Sequence, residues 1–230
     1  MTPADIDALR QDITQKFSHM LATGTADCEG KLNRPDGSSV TYQTYIGWNI
    51  ARANECDIQW GKFNIDLIDK ISKRNYSKDE LIAINEMVQL DDDHWNWLFK
   101  SAKYNTDEYK WFFLYADKKP QAACLIYFPK ESLLSGDDIF YIEYLAVAPW
   151  NRMNPIADRI FLGVGTQMIS DVMCYSHNIL KLKPGCSLHS LNKAQKFYKK
   201  IGMLPIPAYD KPNLAFFEMP ESVAIDFLGA

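Results

Sequence analysis

The sequence has no C-x-x-C pair. Its five cysteines, Cys28, Cys56, Cys124, Cys174 and Cys186, are odd in number and scattered. That excludes a disulfide framework or a zinc knuckle and fits reduced thiols in a cytoplasmic protein. The four histidines, His19, His94, His177 and His189, form no ligand-spaced cluster, so no metal is expected. No apolar run reaches the roughly 18 residues that span a bilayer. The N-terminal MTPADIDALRQDI lacks the basic and apolar stretches of an export signal. The expectation is a soluble, unexported protein with no membrane partner. A basic excess is also missing: 25 Lys and Arg face 29 Asp and Glu, net −4. Nucleic-acid affinity comes mostly from cationic side chains on phosphates, so a nucleic-acid partner is not expected.

What is present is ordinary globular material. The 230 residues are 47% hydrophobic and 23% charged, enough for one large domain or a domain with a sizeable extension. Charge is uneven: residues 1–110 hold 13 basic and 18 acidic side chains, residues 111–230 hold 12 and 11. An anionic ligand suits the back half, a cationic one the front.

Residues 1–110 read as mainly helical. Ile6, Leu9, Ile13, Phe17 and Met20/Leu21 recur at helical steps. A turn-rich stretch from Thr23 to Ser39, with Gly24, Gly30, Pro35, Asp36 and Gly37, predicts a loop or short hairpin. Helical spacing returns over about 41–74. Ser77 and Glu80 form a capping box opening a helix to about Gln89. Asp91, Asp92 and Asp93 lack the alternation of a calcium loop and read as a helix N-cap. Trp95, Trp97 and Phe99 read as packing.

The back half alternates strand and helix. Residues 111–116 and 122–130 predict a β-hairpin, and 139–149 a strand apolar enough to be buried on both faces. A helix is expected from Arg159 to about His177, a strand over 186–191, a helix over 192–203 ended by Gly202, and a strand over 214–219. Between the buried strand and its helix stands Gly163-Val164-Gly165-Thr166. Glycines there let backbone N–H groups turn towards a ligand, and the helix N-terminus favours a pyrophosphate. The Lys-Ser/Thr phosphate loop and the G-x-G-x-x-G fingerprint are both absent, which counts against nucleotide hydrolysis and nicotinamide chemistry.

Two further patterns flank that turn: V-x-P-x-x-R (Val147, Pro149, Arg152) leaves the strand, and A-x-x-F-Y-x-x-x-G-M (Ala194, Phe197, Tyr198, Gly202, Met203) follows a later one. The ordered set resembles the GNAT superfamily of acetyl-CoA-dependent N-acetyltransferases over about residues 111–219. The resemblance implies an α/β (α+β) fold with a central twisted mixed sheet flanked by helices. Residues 1–110 would be a helical region packed on the acceptor side, and 111–230 the catalytic domain. It implies that strands 139–148 and 186–191 splay apart, with the pantetheine arm of acetyl-CoA bonded to main chain around Leu145 and Val147. The pyrophosphate would sit on Gly163, Val164, Gly165 and Thr166, with Arg152 or Arg159 adding charge. Ile160 stands where the family's pattern has an arginine or glutamine. Asn192 resembles the family's helix-opening asparagine, and an ordinary N-cap explains it equally.

The implied chemistry is direct attack of an amine on the thioester. The ammonium needs a base, and Glu143, the only carboxylate in the central strand, is the candidate. Alternation places Tyr141, Glu143 and Leu145 on one face, so Tyr141 can share the task. A main-chain N–H near Leu145 or Ala146 would meet the oxyanion, and the family's thiolate acid falls on Tyr198. Glu143 paired with a basic neighbour, and Tyr198 as a core tyrosine, are the alternatives. The expected partner is an amine-bearing small molecule, peptide or protein; a homodimer stays open. A GNAT-fold binding or inhibitory protein without turnover is the competing function.

Overall fold

The computed structural model describes residues 3–17, 19–22 and 25–228. Two helices open the chain, α1 (Pro3–Phe17) and α2 (His19–Ala22), followed by the hairpin β1 (Cys28–Asn33) and β2 (Ser39–Ile46). The side chains of Ile6 and Leu9, and residues Thr23 and Gly24 at the head of the turn-rich stretch, lie outside the described residues. Helices α3 (Ile50–Ser72), α4 (Lys78–Met87) and α5 (Trp97–Lys103) precede β3 (Tyr109–Ala116), β4 (Lys119–Glu131) and β5 (Asp138–Val147). Then come α6 (Val164–Asn178), β6 (Cys186–Leu191), α7 (Gln195–Lys200), β7 (Leu204–Pro205), β8 (Leu214–Met219) and α8 (Glu221–Ala224).

All eight strands form one mixed sheet in the order β1-β2-β3-β4-β5-β6-β8-β7. Among the described residues only β5 and β6 run parallel; the other neighbours are antiparallel. The helical reading of 41–46 is therefore wrong. Val40, Tyr42 and Thr44 alternate with period two and are β-branched or aromatic, which suits a pleated strand, and β2 pairs with β3 from Tyr42↔Ala116 to Ile46↔Phe112. The sheet thus runs across residue 110. The following helix starts where Asn49 accepts from the Arg52 amide.

The Ser77–Glu80 capping box is formed on both sides and opens α4 as read. The β3–β4 hairpin turns on Asp117 and Lys118, both at positive φ, the geometry that matches strand twist. Residues Arg159–Gly163 are not helical, because Leu162 bridges back to Asn33 and α6 starts only after Gly163. Of the expected helix 192–203, a 3-10 turn takes Asn192–Ala194 and α7 ends at Lys200.

Each face of the sheet carries its own core. One face packs Phe112, Leu114, Ile126, Phe140 and Ile142 against α6, whose Met168, Ile169, Val172 and Met173 are fully buried. The other packs Trp111, Phe113 and Leu125 with Trp60 from α3 and Trp97 from α5. Burial on both faces explains the near-continuous apolar sequence of β3 to β5. The front and back halves are also tied by Asp171 of α6, which accepts from the hydroxyls of Tyr42 and Thr44 on β2 and from Gln167. Burial pushes its carboxyl up, and those donors partly offset the shift.

Candidate active site

The parallel pair β5–β6 is short. It joins Phe140↔Cys186, Tyr141↔Ser187 and Ile142↔Leu188, and no pairing continues beyond. The remaining residues of both strands therefore diverge, opening a gap from residue 143 on β5 and 189 on β6, as the resemblance implies. On the other side of β5 the ladder slips at the same level. Leu125 faces Tyr144 but Ile126 faces Ile142, leaving Glu143 as an extra residue. Such a bulge re-aims side chains and breaks alternation. Leu145 and Val147 accordingly pack with the α6 face, whereas Tyr144 and Ala146 lie with the aromatic face. The expectation that Tyr141, Glu143 and Leu145 share one face is corrected by this bulge.

Glu143 sits half-buried at the head of the gap, where burial raises its carboxyl pKa and Lys211, Lys100 and Lys103 pull it back. Tyr141 donates its hydroxyl to His189 Nδ1 at 2.7 Å, because His189 Nε2 donates to the Tyr209 carbonyl at 3.0 Å. Burial first, then Lys211, holds the imidazole below its usual range, against the raising effects of the Tyr209 carbonyl and Asp210. A neutral ring with this tautomer accepts the Tyr141 hydroxyl as a hydrogen-bond donor. Burial keeps the Tyr141 phenol high, so its proton is tightly held. Tyr198 is buried beside Phe197 and Phe217, and burial likewise raises it, with Cys124, Cys186 and Asp92 adding to the effect. Such a phenol is a donor, which suits protonation of a leaving thiolate.

At the other end of the gap stands the glycine turn. Gly163 has φ 71°, a left-handed conformation that glycine adopts without cost, and it caps α6. The first bond made within the turn is Gln167 N–H to Gly163 O, so the amides of Val164, Gly165 and Thr166 have no acceptor inside the helix. A Cβ on Gly165 would come within 3.3 Å of Phe197 and 3.4 Å of Val147. Its lack of a side chain seats the helix start between β5 and α7. This end can hold a phosphate by main-chain donors and the helix dipole.

The arginines differ from expectation. Arg152 is not free for a phosphate: its Nε donates to the Val147 carbonyl at 2.8 Å, and its two terminal nitrogens clasp Asp92 at 2.6 Å each. The partner side chains are 12% and 13% exposed. A charge-matched, bidentate neighbour outcompetes an open loop for a guanidinium. It also leaves the Val147 carbonyl occupied. Asp92 is thereby not a helix cap; Asn96 caps α5 instead, accepting from Phe99 N–H. Arg159 is exposed in the loop before the turn. Asn192 does not cap α7; its side chain accepts from Gln195 Nε2.

Sequence reasoning missed the segment that crosses the mouth of the gap. Arg152, just past β5, also donates to Gln89 O at 3.0 Å, while Lys193, just past β6, donates to Asn85 O and Val88 O at 2.7 and 2.9 Å. Residues 85–92 therefore strap the two strand ends together. A cavity of about 220 Å³ opens beside the strap, walled by Asp57, Asn64, Trp95, Pro149 and Arg152. Lys100 was missed as well. Its Nζ lies 3.4 Å from the Tyr144 ring centroid and 5.5 Å from that of Trp95, and burial lowers its ammonium pKa to about 8. A lysine set among tryptophans, HWNWLFK, was the available signal, as was a histidine inside the apolar strand CSLHSL.

No protein-family model and no curated protein matches the chain. Solved structures do. FdhC, a nucleotide-linked sugar GNAT in its apo form, matches at 14% identity over 87% of this chain and 94% of its own, TM-score 0.46. The aminoglycoside N(6')-acetyltransferase of Legionella pneumophila matches at 17% identity over 66% and 92%, TM-score 0.40. Escherichia coli ElaA matches at 15% over 64% and 93%, TM-score 0.37. Among solved structures, this chain is similar to N-acetyltransferases of the GNAT type.

Proposed function

We propose that the protein is a cytoplasmic acyltransferase that moves an acetyl group from acetyl-CoA to a primary amine by direct attack. The observation that carries the reading is the divergence of β5 and β6 after three residue pairs, with a donor-rich helix start at one end of the gap and Glu143 at the other. Acetyl-CoA supplies the activated thioester. Gly163, Val164, Gly165 and Thr166 hold its pyrophosphate, and the main chain at Leu145 and Ala146 receives the rest. With Arg152 clasped by Asp92, the helix start supplies the positive end, and exposed Arg159 is the arginine left to add charge.

Glu143 takes the proton of the incoming ammonium. Its raised pKa brings it nearer the working range of a base than an ordinary glutamate. The Tyr141–His189 pair offers a second route for that proton, and Tyr198 protonates the departing thiolate. Helices α3 and α5 cover the face on which the acceptor enters, so residues 1–110 shape that side.

A calorimetric titration with acetyl-CoA and with CoA tests the reading. Gly163→Asp should abolish binding by setting a carboxylate against the phosphate, with far-UV circular dichroism checking that α6 survives the strain of a side chain at φ 71°. No binding to the wild-type protein would refute the reading. A binding protein without turnover is the second reading, favoured by α4, none of whose residues is buried and whose Leu81 and Ile82 are 47% and 54% exposed. Turnover with any amine, lost in Glu143→Gln, would set that reading aside.

A further inference from the structure

An amine already stands at the acceptor side of the gap. Lys100 projects from α5 so that its Nζ rests over the ring of Tyr144, the residue next to Glu143 in the bulge. Lys103 lies one turn on, over the Tyr104 ring at 4.8 Å. Among the described residues no carboxylate is within ion-pair distance of Lys100. Its charge is held by ring faces, with Glu143 and Asp57 in electrostatic reach.

We propose that Lys100 is a self-acetylation site, its amine attacking the thioester bound in the gap with Glu143 as base. This rests on the acetyltransferase reading and goes beyond it by naming an acceptor within the chain. In the step, the Nζ lone pair forms a C–N bond to the thioester carbonyl carbon, the C–S bond breaks, and CoA leaves as thiolate. The nitrogen proton passes to Glu143 and the thiolate takes one from Tyr198, leaving an acetamide and the free thiol. Two features favour Lys100 over the other lysines. It is half-buried against Tyr144 with Glu143 in electrostatic reach, and with a pKa of about 8 roughly one molecule in ten has the free amine at pH 7. Acetylation removes a cation from Tyr144 and Trp95, whose rings lie 5.0 Å apart, and so changes the acceptor side itself.

The test incubates the native full chain with acetyl-CoA and reads intact mass and peptide maps. Heat-denatured protein and the variants Lys100→Arg and Glu143→Gln run alongside, with acetyl-CoA binding measured on each. The expected result is one acetyl group per chain, mapped to Lys100, at a fractional rate that does not change on dilution. It should be absent in Lys100→Arg and at least tenfold slower in Glu143→Gln, with acetyl-CoA binding retained in both. Acetylation spread over several lysines, or equal in the denatured chain, would overturn the proposal. So would an unmodified Lys100 in protein that binds acetyl-CoA, and in that case the acetyltransferase reading would survive. Absence of acetyl-CoA binding would remove both.

Discussion

The two faces of the sheet are built from different chemistry. Apart from the Asp171 network with Tyr42 and Thr44, the α6 face is sealed mainly with Leu, Ile, Val, Met and Phe, whose packing is non-directional and tolerates a change of shape at constant volume. The α3–α5 face is made of indoles and phenols, several of whose polar tips are bonded to fixed partners. Trp60 donates to Pro120 O, Trp111 to Tyr104 O, Trp150 to the Gln121 side chain and Trp48 to Ser101 O. Each indole both fills space and holds a backbone carbonyl or amide at a fixed point. The first face stabilises the fold, and the second positions Glu143, Lys100 and the strap.

Adjacent residues on opposite faces break or sharpen this contrast. Phe112 and Trp111 are both essentially fully buried. Phe112→Ala should cost about 3–5 kcal/mol by opening a cavity against Tyr175 and α6, read by urea denaturation. The conservative pair is more telling. Phe112→Leu should cost under about 1.5 kcal/mol, whereas Trp111→Phe leaves the Tyr104 carbonyl unpaired and should cost about 1–3 kcal/mol. Equal costs for the two conservative changes would dissolve the distinction between the faces.

How much of this was legible in the sequence follows the same line. The strands and the helix of the aliphatic face announce themselves, because continuous or periodic apolar runs are what they need; β3 to β6 fall close to where the pattern puts them, and α6 does so except at its start, which is Val164 and not Arg159. The glycine turn was legible because φ 71° at Gly163 needs glycine. The aromatic face was not. Tyr45, Trp48 and Ile50 spaced like a helix, yet tertiary pairing with β3 made 39–46 a strand. The bulge at Glu143 depends on register against β4, which no local pattern encodes. Arg152 and Asp92 are 60 residues apart in sequence, so a charge pairing that withdraws the arginine from the proposed phosphate site is invisible until the chain folds.

That pair gives the next test. Asp92→Asn keeps the size of the side chain but removes the charge that clasps Arg152. Loss of one partner of a largely buried pair should cost about 1–3 kcal/mol through the stranded guanidinium. The amides of residues 85–92 should exchange faster, while those of α6 stay protected. If exchange over 85–92 is unchanged, Lys193 alone holds the strap and the Arg152 clasp is incidental.

The smallest effect lies at Lys100 and separates the faces by pH. Its ammonium titrates at about 8 in the folded chain, with burial the largest cause, and at the ordinary lysine value of 10.5 when unfolded. Between those two values Lys100 binds more protons in the unfolded chain, so its own contribution to stability rises with pH across that window. Below about pH 8 both states are protonated and the burden of the half-buried charge is constant. Lys100→Met carries no such charge, so the gap in melting temperature between it and the wild-type protein should narrow from pH 8 to pH 10.5 and hold steady from pH 6 to 7.5. The Phe112–Tyr175 contact holds no titratable group but Tyr175 itself, whose phenol burial pushes up. The corresponding curve for Phe112→Leu should therefore run parallel to wild type over the same window. A gap that stays constant for Lys100→Met as well would mean that the ring faces of Tyr144 and Trp95 solvate the ammonium as well as water does, and the aromatic face would then bear its cation at no cost to the fold.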